Sequence, residues 1–232
     1  MRRDHPDAFE VAGPAALPAD PAEVIEALEP LLLPERIARI DAILARRTRA
    51  VIPVLDGVDD PHNVAAVLRS AEAFGTQEVH TIRGEEPFMA SQRVTQGTDR
   101  WLDLVRHDSA GACVASLHRR GYHVYVATMD GEATPEDLAR VERVAIVFGN
   151  EHAGVRPELA ERADGRYTIP MRGFAQSLNV SVAAAVTLYG ATRDRERALS
   201  DDDRLRLRAR FMMLSVPRAD EVVAEHLQRA VS

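Results

Sequence analysis

Three short stretches of this chain carry residue types that could bind a ligand and act on it. The first, DDPHNVAAVLRSAEAFG (59–75), sets Asn63 six residues before Arg69. The second, FGNEHAG (148–154), brackets Asn150 and Glu151 between Gly149 and Gly154. The third, IPMRGFAQSLNVSVAAAV (169–186), places Ser177, Asn179 and Ser181 at alternate positions ahead of an apolar run. Glycines let backbone approach a ligand closely, and a glutamate accepts from hydroxyls or amines. Each stretch also has a plainer reading. Asn63 and Ser177 read as helix N-caps. Glu151 suits a strand-to-helix turn near a helix N-terminus. Arg69 reads as a solvated partner of Glu72, three residues on. Capping by Ser177 does not explain Asn179 just behind it.

What is missing narrows the chemistry. All 29 basic residues are arginine, so Schiff-base, P-loop-lysine and lysine-base mechanisms are excluded. GNEHAG is neither a GxGxxG nor a Walker loop. The single cysteine, Cys113, excludes an intrachain disulfide framework and a cysteine-cluster zinc site, and reads as a core residue. His62 and His152 are not spaced as metal ligands, so no metal is expected. A composition of 46% hydrophobic and 28% charged residues is that of a globular protein. The apolar run Val182 to Val186 is far too short for a bilayer. MRRDHPDAFE lacks the apolar core of a signal peptide, so a cytoplasmic, reduced setting is expected.

Around the three stretches the pattern alternates strand and helix. Strands are predicted at 51–55, 78–82, 101–105, 123–128, 144–148 and 167–169. Helices are predicted at 63–74, around Ala110 to Leu117, just after Pro157, and over 177–197. This order predicts an α/β fold, a parallel sheet with helices on both faces. Ligands of such sheets bind beyond the C-terminal ends of the strands, which is where all three stretches fall.

Charge divides the chain further. The net charge is −7, which does not suggest a nucleic-acid binder. Residues 1–34 carry two arginines against seven acids, with six of the 13 prolines. They read as an acidic, Pro-rich extension with one short helix near Glu23 to Leu28. Residues 35–50 carry five arginines against two acids and form an amphipathic basic helix. The expected domains are 1–34, a catalytic domain at 35–198 led by that basic helix, and a C-terminal helical extension at 199–232.

Taken in order, the three stretches resemble the motifs of the SpoU family of RNA 2′-O-ribose methyltransferases, within the SPOUT superfamily. Asn63 and Arg69 match the first motif. Gly149, Glu151 and Gly154 with Pro157 match the second. Ile169-Pro170-Met171 through Ser177-Leu178-Asn179-Val180-Ser181 match the third. The leading LLPERIARIDAILARRT and the ending QSLNVSVAAAVTLYGATRDRERA are similar to the TrmH-like tRNA guanosine-2′-O-methyltransferase branch. Members of that branch often carry a lysine before Pro-His-Asn; Asp60 stands there in this chain.

The resemblance implies a deep C-terminal trefoil knot, S-adenosylmethionine as cofactor and methylation of guanosine 18 in the tRNA D-loop. It implies cofactor contacts from Thr128, Gly149, Ile169, Met171, Leu178 and Asn179. Catalytic roles fall on Arg69, Asn63, Glu151, Ser177 and Asn179. It further implies a homodimer joined through the knot helices. Arg36, Arg39, Arg46, Arg47, Arg49, Arg204 and Arg208 are then expected to grip the tRNA backbone, with Arg206 and Arg210 nearby. Two roles stay open for Arg69. It is sometimes assigned as general base, but a guanidinium with a pKa above 12 has no lone pair to offer. The alternative is binding the adjacent phosphate and stabilising charge on the 2′-oxygen. A 23S rRNA methyltransferase of the same family and a non-catalytic RNA-binding relative are the competing readings.

Overall fold

The computed structural model describes residues 16–82, 97–150, 153–195 and 199–230. Six parallel strands form one sheet in the order β3-β2-β1-β5-β4-β6. They are β1 (Val51–Asp56), β2 (Glu78–Ile82), β3 (Asp103–His107), β4 (His123–Ala127), β5 (Val144–Gly149) and β6 (Gly165–Tyr167). β1 is buried at all six positions and β2 at all five, as strands covered on both faces must be.

Helices cover both faces. On one lie α3 (Pro61–Ala73), α5 (Pro135–Leu138) and α7 (Val180–Thr192), with α3 and α5 each packed on α7. Their core joins Val64, Leu68 and Ala71 to Leu55, Ile146 and Phe148 of the sheet and to Ala184 and Leu188 of α7. On the other lie α4 (Ala110–Arg119) and α6 (Pro157–Arg162), which pack on each other. Here Cys113, Val114 and Leu117 meet Ile52, Val124, Ala145 and Val147. Cys113 is a core residue, as expected.

Three sequence boundaries shift. The strand expected at 101–105 lies at 103–107, because Thr98–Trp101 forms a 3-10 turn after Gly97, whose φ of 75° suits only glycine without strain. The strand expected at 167–169 lies at 165–167, and the chain then leaves the sheet. The helix expected over 177–197 runs from Val180 to Thr192. The short helix α5, closed by a reciprocal cap between Thr134 and Asp137, was not anticipated.

The described chain forms two compact units. The sheet unit begins at Arg49 and ends after α7. The second unit joins α1 (Pro21–Leu28) and α2 (Pro34–Leu44) to α8 (Asp201–Met213) and α9 (Ala219–Ala230). Within it α1 packs on α8 and α9, and α2 packs on α8. The basic helix therefore groups with the C-terminal helices, whereas the sequence placed it at the head of the catalytic domain. Burying Ile40 and Leu44 of α2 and Leu207 and Phe211 of α8 explains that grouping. No helix of the described residues is long and apolar enough to cross a membrane.

Candidate active site

The C-terminal ends of β4, β5 and β6 open onto a cavity of about 390 Å³. Its walls come from three segments. Ala127, Thr128 and Met129 follow β4. Phe148 to Asn150 and Ala153 to Val155 follow β5. The third segment is discontinuous: Tyr167 to Ile169, Met171, and Gln176 to Leu178, with Val180 and Ala183 from α7. Five of the six residues expected to contact a cofactor line this space: Thr128, Gly149, Ile169, Met171 and Leu178. Ser177 lines it as well.

The lining is neutral and mostly apolar, with no acid, arginine or histidine among the described wall residues. The Tyr167 hydroxyl is fully buried, and burial pushes its pKa well above the ordinary tyrosine range. It is a neutral phenol at physiological pH. Thr128 Oγ1 is buried and without a hydrogen-bond partner among the described residues, although the Thr128 amide donates to the Tyr167 carbonyl at 2.9 Å. A buried hydroxyl left open on a cavity wall is free to hydrogen-bond a polar ligand there.

The second motif is held by backbone. Asn150 and Gly154 exchange N–H···O bonds of 3.0 and 2.9 Å, and Gly154 has a φ of 70°. A Cβ on Gly149 would lie 2.3 Å from the Gly154 carbonyl carbon, so only glycine fits that crossing. Asn150 Nδ2 donates to the Gly57 carbonyl at 2.8 Å, tying the loop to the end of β1. The Arg156 backbone N–H and guanidinium both bind the buried Asp56 carboxylate, at 2.9 Å and 2.6 Å. Sequence reasoning overlooked Asp56. Its signal was an acid closing an otherwise apolar buried run, a position that demands a charged partner. Glu151 and His152 lie outside the described residues.

The first motif is positioned by a cap. Asp60, the departure from the branch pattern, is the N-cap of α3 and accepts from the His62 amide at 2.8 Å. Asn63 is therefore not the cap; it sits in the first turn behind Pro61. Arg69 is exposed and has no ion pair or hydrogen bond to the described residues, including Glu72. The third motif differs from expectation in the same way. Asn179, not Ser177, caps α7: its Oδ1 accepts from the Ser181 amide at 2.9 Å and the Ser181 hydroxyl at 2.6 Å. Asn179 does not line the cavity. Its Nδ2 donates instead to Asn63 Oδ1 at 3.1 Å, which joins the first motif to the third.

The basic residues divide into two sets. Arg36, Arg39, Arg46 and Arg204 are exposed, and their side chains have no partner among the described residues. Arg47, Arg49 and Arg208 are engaged internally. Arg47 is 1% exposed and lies 5.7 Å over the Phe211 ring. Arg49 binds Glu78 and Asp103 at 3.1 and 2.6 Å. Arg208 reaches Glu29 and Asp41 at 3.2 and 2.9 Å. These three are corrections to the expected phosphate contacts, because acids or aromatic packing already occupy their guanidinium groups.

Comparison with known proteins agrees with this geometry. Residues 50–189 match the SpoU rRNA Methylase family. A tRNA (guanosine(18)-2′-O)-methyltransferase of Thermus thermophilus is 36% identical over 172 residues, which is 73% of this chain and 89% of that protein. The crystal structure of the Aquifex aeolicus TrmH/SpoU tRNA modifying enzyme superposes with a TM-score of 0.70 at 28% identity, covering 79% of this chain and 98% of that one. An rRNA methyltransferase from Sinorhizobium meliloti with bound AdoMet superposes with a TM-score of 0.54 at 25% identity, over 66% of this chain and 59% of that one. With its three motifs gathered at one end of a six-stranded parallel sheet, the chain belongs to the SpoU methylase family.

Proposed function

We propose that this protein methylates the 2′-hydroxyl of a tRNA ribose with S-adenosylmethionine, at guanosine 18 of the D-loop. The observation that carries this is the convergence of motif residues: the cavity wall takes residues from the second and third motifs, and the Asn63–Asn179 bond attaches the helix bearing Arg69.

The cavity suits the cofactor. Its volume fits a nucleoside-sized ligand, its walls are apolar, and Thr128 Oγ1 offers an unused hydroxyl. Gly149, Ile169, Met171 and Leu178 would hold it, largely through main-chain groups. When bound, S-adenosylmethionine supplies an electrophilic methyl on a sulfonium.

The chain's own residues then have limited work. A mostly apolar wall, once ligands fill the cavity, would favour a transfer in which charge is neutralised. Tyr167 is neutral and cannot accept a proton. Arg69, a guanidinium fork with donors only, binds the phosphate beside the ribose and stabilises negative charge on the 2′-oxygen. Ser177, on the cavity wall, and Glu151 orient the ribose.

The phosphate backbone would meet Arg36, Arg39, Arg46 and Arg204. A homodimer through α7 is supported by Val182, Val186 and Tyr189, which are 48%, 43% and 50% exposed at helical spacing. The segment from Tyr167 to Val180 is the part that would thread the trefoil knot. A cytoplasmic location suits a tRNA substrate. The test is methyl transfer to unmodified tRNA with the product nucleotide mapped. Transfer should vanish when guanosine 18 is replaced by adenosine; undiminished transfer overturns the assignment.

A further inference from the structure

A second group of reactive side chains lies away from the cavity, where β2, β3 and α4 meet. β2 contributes Glu78 and His80, β3 contributes His107, and α4 contributes Cys113. They are 4%, 0%, 9% and 1% exposed. One donor atom from each of His80, His107 and Cys113 lies within 4.8 Å of the other two. His80 Nε2 is 2.6 Å from Glu78 Oε1, and His80 Nδ1 is 2.9 Å from His107 Nε2.

We propose that His80, His107 and Cys113 bind a borderline-soft divalent cation of the zinc class, with Glu78 orienting His80 from behind. Two imidazoles and a thiolate are a donor set zinc prefers over magnesium or calcium. Bond lengths near 2.0 Å to nitrogen and 2.3 Å to sulfur put tetrahedral donors roughly 3.5 Å apart. The 2.9 Å between the two imidazole nitrogens and the 4.8 Å within which all three donors lie span that value.

The surroundings agree. Burial raises the Glu78 pKa, but hydrogen bonds from His80 and Arg120 outweigh it and hold the carboxylate well below its usual range. An ionised Glu78 carboxylate only accepts, so His80 presents its Nε2–H to it and turns Nδ1 toward His107. A carboxylate behind a ligating histidine is the usual outer partner of a zinc site. Burial, then the neighbouring His80, brings His107 down to about 4, so its ring is neutral at physiological pH. Burial and the Asp56 charge push the Cys113 thiol up to about 12, so the thiolate forms only on a cation. Asp108 and Asp56 add negative potential, while Arg49 and Arg120 are matched by Glu78 and Asp103. A hydrogen-bonded histidine pair in a core would explain the two rings but makes the thiol beside them incidental.

Protons balance simply. The His107 proton moves from Nε2 to Nδ1, and the Cys113 proton leaves to solvent, about one proton released per cation. No redox change is involved. The cation would staple edge strand β3 to β2 and α4, a structural role separate from methyl transfer.

The test uses the purified full-length chain, stripped with chelator and titrated with Co²⁺ alone, then with Zn²⁺. The expected result is one Co²⁺ per chain with a thiolate-to-cobalt charge-transfer band that Zn²⁺ abolishes. Cys113 is the only cysteine, so the band reports this position. Cys113→Ala and His107→Gln should lose the band and lower Zn²⁺ affinity roughly 100-fold or more, with circular dichroism and S-adenosylmethionine binding retained. Absence of a band in the folded parent chain overturns the proposal. So does an unchanged Zn²⁺ affinity in Cys113→Ala.

Discussion

Asn179 Nδ2 donates to Asn63 Oδ1 at 3.1 Å, across 116 positions of sequence. The same Asn179 amide accepts at its other end from Ser181 and so starts α7. One side chain thus sets where α7 begins and how the Arg69 helix is held beside it. The two functions use different atoms, which makes them separable.

Asn179→Asp keeps the capping oxygen and removes the Nδ2 donor, whereas Asn179→Ala removes both. The alanine variant should lose about 1 kcal/mol of stability. The aspartate variant should stay nearer the parent in denaturant midpoint. Both should lose methyl transfer if the Asn63 bond positions Arg69. Full activity in Asn179→Asp would show that this bond is dispensable.

Arg69 has no partner among the described residues, so its removal leaves no buried acid unpaired. Arg69→Ala should fold normally and lower kcat about 10²–10³-fold, the range for removing one oxyanion-stabilising donor. Arg69→Lys should recover part of that rate, because it keeps the charge while losing the bidentate fork. Steady-state kinetics on unmodified tRNA, with thermal melts alongside, separate the two effects. A lysine variant as inactive as alanine would argue that the fork, not the charge, matters.

The sequence was informative where a pattern is local. The β1 and β5 runs and the α4 stripe are each visible within a dozen residues, and the structure places them close to expectation. Capping was legible in kind but not in position. Asp60 competes with Asn63, and Asn179 with Ser177, and only the backbone geometry decides which oxygen meets the free N–H groups. Long-range pairings were not legible. Nothing local to Arg49 or Arg208 says that Glu78, Asp103, Glu29 and Asp41 will reach them. The grouping of α2 with α8 depends on partners more than 150 residues apart, such as Asp41 and Arg208.

Thr128 Oγ1 is buried and has no hydrogen-bond partner among the described residues. Thr128→Val preserves shape and removes only the hydroxyl. Protein stability should stay level or rise slightly, since no internal hydrogen bond is lost. S-adenosylmethionine binding should weaken by about 0.5–1.5 kcal/mol, roughly 2–13-fold, if the hydroxyl meets the cofactor. Calorimetric titration of both proteins measures this. Equal affinities would place the cofactor away from Thr128.

Val186 is 43% exposed on α7, while Ala184 and Leu188 of the same helix are buried in the chain's own core. Val186→Glu should therefore cost the single chain little. In a homodimer packed through α7 it would bury an unpaired charge. Sedimentation analysis should show the parent as a dimer and the variant shifted to monomer. A parent that sediments as a monomer would remove α7 as an interface.

The arginines make opposite predictions according to their surroundings. Arg36 and Arg46 are exposed and unpaired among the described residues, so each is available to a phosphate. Replacing either with alanine should weaken tRNA binding and reduce the slope of log K against log salt by about one unit, with stability unchanged. Arg47 sits under Phe211 at 1% exposure. Arg47→Ala should cost on the order of 2 kcal/mol of stability through lost packing and the cation–aromatic contact, and leave the salt slope of the folded protein as it was. Filter binding over a salt series, with melting curves for each variant, distinguishes the two classes. A salt slope that falls in Arg47→Ala but not in Arg36→Ala would reverse the assignment of which arginines face RNA.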